Sequence, residues 1–131
     1  MAIAAIANTI SLRHAVLADG VISGAMGALL IVASSPLSGL LGVPENFLFW
    51  VGVVLLPWMA SLIVIGREER PAAGAVETVI AVNALWVLGS IVLAVWNPFA
   101  MTALGFAFVI AQALAVTVFA ELQFFGLRRE A

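Results

Sequence analysis

Four apolar blocks, each long enough to cross a lipid bilayer, leave this chain of 131 residues few ways to fold. They lie at about 12–33, 47–66, 76–96 and 99–121. At about 1.5 Å of rise per residue, some twenty helical residues span the roughly 30 Å of a hydrocarbon core. Composition agrees: 9% of residues are charged, against about 25% in an ordinary soluble domain. The pattern predicts an all-α integral membrane bundle of four transmembrane helices, forming one domain over 1–131. The lipid bilayer is its first partner.

The only charged run inside the chain, Arg67-Glu68-Glu69-Arg70, separates the second block from the third. Arg13 precedes the first block, and Arg128 and Arg129 follow the fourth. The connections 34–46 and 97–98 carry no basic residue. Basic and non-basic segments therefore alternate, and the positive-inside rule places both termini and the charged turn in the cytoplasm. A bacterial inner membrane is the expected location. Residues 1–12 lack the basic stretch that opens a secretory signal peptide, so none is expected.

Local signals refine the connections. Ser35 before Pro36 resembles a capped helix start, and Gly42 can end that helix. A short interfacial helix is therefore expected between the first and second spans, and another interfacial segment within 1–11. Asn97 is expected to cap a helix that begins at Pro98. Residues 122–131 read as a tail.

Two sets of small residues mark packing faces, because packing drives helix association in lipid. The first is Gly20, Ser23, Gly24 and Gly27 in the first span. The second is Ala103, Ala107, Ala111 and Ala115 at strict four-residue spacing in the fourth, on which another helix should lie.

By helical rise, each span delivers one polar side chain about 8–14 Å inside the cytoplasmic boundary. These are Asp19, Ser61, Asn83 and Gln112. Asp19 is the sharpest of them, since a carboxyl inside a span is costly and usually faces a partner or a pathway. It reads either as interhelical glue bonded to Asn83 or Gln112, or as part of a ligand or ion site.

Catalytic chemistry finds little footing. Cysteine is absent, which removes thiolate nucleophiles and thiolate metal sites. Tyr and Lys are absent too, and no metal-ligand spacing or phosphate-cradling loop occurs. No enzyme, no metal and no nucleic-acid partner is expected. No cofactor is predicted either, although His14, the single histidine, could ligate haem or a chlorophyll-type pigment. The expected function is a non-enzymatic structural or accessory subunit that packs laterally, as a homo-oligomer or within a larger membrane complex. The alternative is a small dimeric proton- or cation-coupled transporter that uses Asp19 in its polar layer.

Overall fold

The computed structural model describes residues 10–130. Apart from Ile10 and Ser11, the expected interfacial segment lies outside them. Five helices follow in order: α1 (Leu12–Val32), α2 (Ser34–Leu41), α3 (Glu45–Gly66), α4 (Ala73–Trp96) and α5 (Ala103–Glu130). All but α2 are long and apolar enough to cross a membrane. The chain is thus a small membrane protein, and its described residues form an all-helical bundle with four spans, as the hydropathy demands.

Helix ends show which local signals prevailed. Ser11 caps α1, its hydroxyl accepting from the backbone N–H of His14. Ser35 caps nothing: α2 starts one residue earlier, with no side-chain cap. Gly42 ends α2 in the left-handed conformation at φ 68°, which glycine adopts without strain. The α3 helix continues through Pro57 to Gly66.

The fourth span departs most from expectation. Asn97 closes α4 with a left-handed backbone, and α5 starts only at Ala103. Asn97 Oδ1 accepts from the N–H of Met101 at 2.8 Å, which orders the turn. Thr102 takes the capping role instead, accepting from Gly105 N–H at 3.0 Å. The same hydroxyl donates to Leu40 C=O at 2.7 Å, and Thr102 N–H donates to Leu41 C=O. These tertiary bonds to α2 fix the helix start where a local Asn-Pro signal could not. At its other end α5 runs through the expected tail, burying Leu122, Gln123 and Gly126.

Two helix hairpins make the bundle. In the first, α1 packs closely on α3; in the second, α4 packs on α5. The α1–α3 seam is built on the glycine face. A Cβ on Gly52 would lie 2.7 Å from the Gly27 carbonyl oxygen, so the two backbones touch at the crossing. Gly20 meets Leu62 and Ile63, and Gly24 meets Met59.

The hairpins join along α1 and α5 and close fully at the charged-turn end. There Leu12 and Val16 pack against Leu62, Val76 and Val79, with Leu127 alongside. Polar ties finish this end. Arg13 donates to the carbonyls of Gly66 and Arg67, Glu130 accepts from Leu12 N–H at 2.9 Å, and Arg129 donates to Ile10 C=O. Elsewhere α3 and α4 scarcely meet. The ring of helices is open on that side.

Candidate functional site

Asp19 is the junction of the two hairpins. Its Oδ2 accepts from Asn83 Nδ2 at 2.9 Å and from Gln123 Nε2 at 2.8 Å. Asn83 also donates to Gln123 Oε1 at 3.1 Å. On its own helix, Ser23 donates to Asp19 Oδ1 at 3.2 Å. Asp19 and Asn83 are each 3% exposed and Gln123 is fully buried. Three helices thus meet in one bonded triad, a polar latch just above the closed end. Interhelical hydrogen bonds in membranes contribute about 0.6–2 kcal/mol each.

Gln123 was hidden because hydropathy ends the fourth span at Glu121. Its signal lay in phase rather than composition. Leu122 and Gly126, four residues apart, continue the buried side of the helix, and Phe124 and Phe125 keep the segment apolar.

The expected single layer is therefore corrected at two positions. Ser61 is exposed and its hydroxyl turns back to Pro57 C=O at 3.0 Å. At that level of α3 the inward position belongs to Leu62, which is fully buried. Gln112 lies three turns from Gln123, about 16 Å along the helix. It joins a separate cluster, accepting from Trp86 Nε1 at 2.8 Å and donating to Ser90 Oγ at 2.9 Å.

The packing faces change as well. Gly20, Gly24 and Gly27 are consumed inside the chain against α3, while Ser23 serves Asp19. The alanine stripe is the reverse case. Ala103, Ala107, Ala111 and Ala115 are all exposed, and no helix among the described residues lies on them. The buried row of α5 is Gly105, Val109 and Ala113, because only Gly105 lets the Leu41 backbone come so close. His14 is exposed, with its Nδ1 2.6 Å from Ser11 Oγ, so the ring engages the cap of α1.

Above the latch, the open ring encloses a cleft of about 930 Å³. This lies at the upper end of the roughly 300–1,000 Å³ of small-molecule sites. Asp19, Ser23 and Asn83 form its floor, and Leu55, Trp58, Val82 and Phe119 are among the apolar walls. Gly89, Ala111 and Ala115 keep it wide. Val51, Val54 and Trp86 also border a shallower depression of about 420 Å³ with Trp50, which marks the mouth between α3 and α4. Such an arrangement can admit an apolar body sideways and hold it over a buried carboxylate. No protein-family model matches the sequence, and neither a curated protein nor a solved structure matches it.

Proposed function

We propose that the chain is a small intramembrane carrier, non-enzymatic, with the cleft as its ligand chamber. The observation that carries this reading is the unfilled ring. Four spans close tightly at one end, yet leave about 930 Å³ above Asp19 and part at α3 and α4. A bundle serving only as a scaffold gains by filling that space, since close packing is what holds helices together in lipid. The lateral mouth suits a ligand already dissolved in the bilayer. With the charged turn in the cytoplasm of a bacterial cell, the latch would lie on the cytoplasmic side. Two hairpins hinged at that end form the moving parts such a carrier needs, whether it works alone or as a dimer.

Native mass spectrometry of the purified chain with undecylamine, undecanol and undecanoic acid present together tests the reading. At least one should form a one-to-one adduct, and Gly89→Phe should abolish it, because Gly89 lines the cleft with open space at its Cβ. No adduct with any of the three overturns the chamber.

A second reading rests on the bare alanine stripe. An accessory subunit could seat the helix of a larger complex, or of a second copy, on Ala103 and Ala107, outside the cleft lining. A photocrosslinker at Ala107 should then capture a membrane protein. Labelling of lipid alone would refute it.

A further inference from the structure

The floor of the cleft limits what head group a ligand can bring. It holds three polar residues, Asp19, Ser23 and Asn83. Every hydrogen they can donate is committed: the Ser23 hydroxyl to Asp19, and the two amide hydrogens of Asn83 to Asp19 and Gln123. Their acceptors are not. A carboxylate offers about four lone-pair sites, and Asp19 uses three of them. Asn83 Oδ1 receives no hydrogen bond among the described residues. The floor is therefore an acceptor surface, and a ligand that meets it must supply donors.

Charge sharpens the requirement. The partners of Asp19 are two neutral amides and a hydroxyl. Arginine side chains are engaged outside it: Arg13 on the carbonyls of Gly66 and Arg67, Arg128 over the Phe124 ring and Arg129 on Ile10 C=O. No ion pair reaches Asp19 among the described residues. A carboxylate in an apolar, low-dielectric chamber attracts a cation far more strongly than it would in water. Trp58, Trp86, Phe108 and Phe119 also line the cleft, and an aromatic ring met on its face favours a positive charge over a negative one.

We infer that the chamber is selective for amphiphiles with an ammonium head, which seats at Asp19 Oδ1 and Asn83 Oδ1 while the apolar tail lies along α4 toward the mouth. The inference rests on the chamber reading and names the chemical class of its ligand.

Brominated chains test it, because bromine quenches tryptophan on contact and Trp58, Trp86 and Trp96 line the cleft. The probes are 11-bromoundecylamine, 11-bromoundecanol and 11-bromoundecanoic acid, titrated into wild-type protein in nanodiscs at neutral pH. The component displaced by excess unbrominated undecylamine separates chamber binding from partition into the bilayer. The amine should half-saturate at least tenfold below the alcohol, with the acid weakest. Asp19→Asn should bring amine and alcohol within about threefold of each other, the removed charge being the source of the preference. If the three chains bind wild-type protein equally, or if Asp19→Asn keeps the amine preference, the ammonium assignment is wrong while the chamber stands. If no probe shows a displaceable component, the chamber itself falls. The wild-type series decides on its own should Asp19→Asn not fold.

Discussion

The crossing of α1 and α3 makes one substitution informative out of proportion to its size. In Gly52→Ala the new methyl would meet the Gly27 carbonyl oxygen at 2.7 Å, Ile31 Cγ1 at 2.9 Å and Ile31 N at 3.1 Å. Two of these neighbours are backbone, so no rotamer change relieves them. Overpacking of this kind costs about 1–3 kcal/mol. Against it stands the helix preference for Ala over Gly, about 1 kcal/mol. The net expectation is a loss of about 0–2 kcal/mol relative to wild type, and of about 1–3 kcal/mol relative to an unhindered Gly→Ala change. Gly89→Ala is the matched control: nothing lies within 4 Å of its Cβ, so only the propensity gain remains. Equilibrium unfolding in mixed detergent micelles, followed by far-ultraviolet circular dichroism, reads both. Gly52→Ala should unfold at lower denaturing-detergent fraction than Gly89→Ala, and Gly89→Ala at a fraction equal to or higher than wild type. If Gly52→Ala proves as stable as Gly89→Ala, the backbones do not touch and the seam is not built on glycine.

Other outcomes follow from the polar contacts. Gln123→Leu keeps the volume but leaves Asp19 without one donor and Asn83 without one acceptor, and should cost about 1–3 kcal/mol in the same unfolding assay. Thr102→Ala removes both the cap of α5 and the bond to Leu40; a loss of about 0.5–2 kcal/mol is expected for the cap, with faster hydrogen exchange at Gly105. Ser61→Ala, by contrast, should stay within about 0.5 kcal/mol of wild type, its hydroxyl being exposed and bonded only within its own helix.

How far the sequence speaks depends on the scale of the feature. Four spans are legible because each is a property of some twenty neighbouring residues. Gly42 is legible because a left-handed backbone is a local demand that glycine meets. Depth is legible too: Asp19 and Asn83 share a level and do bond. Facing is not. Ser61 sits at a suitable depth and points out of the bundle, because a residue one step along turns about 100° around the helix. The alanine stripe had regular spacing, yet spacing says nothing about which neighbour arrives. Helix starts set by tertiary contact escape as well. Asn97-Pro98 is a sound local signal, but Thr102 has two bonds to α2 that no nearby residue announces. The cleft itself is a property of what the helices leave unfilled, and no residue type encodes that.

The latch also sets an order of events during synthesis. Asn83 lies 64 residues after Asp19 and Gln123 lies 104 after it. At about 5–20 residues per second, the first partner trails by about 3–13 s and the second by about 5–20 s. Through that interval the α1–α3 hairpin can form on its glycine seam, with Ser23 the only partner Asp19 has within it. A carboxyl so exposed to lipid is costly, so the first hairpin by itself is less stable in the bilayer than it is once the last span arrives. The residue that joins the finished bundle is thus also the one that makes its first half dependent on its second.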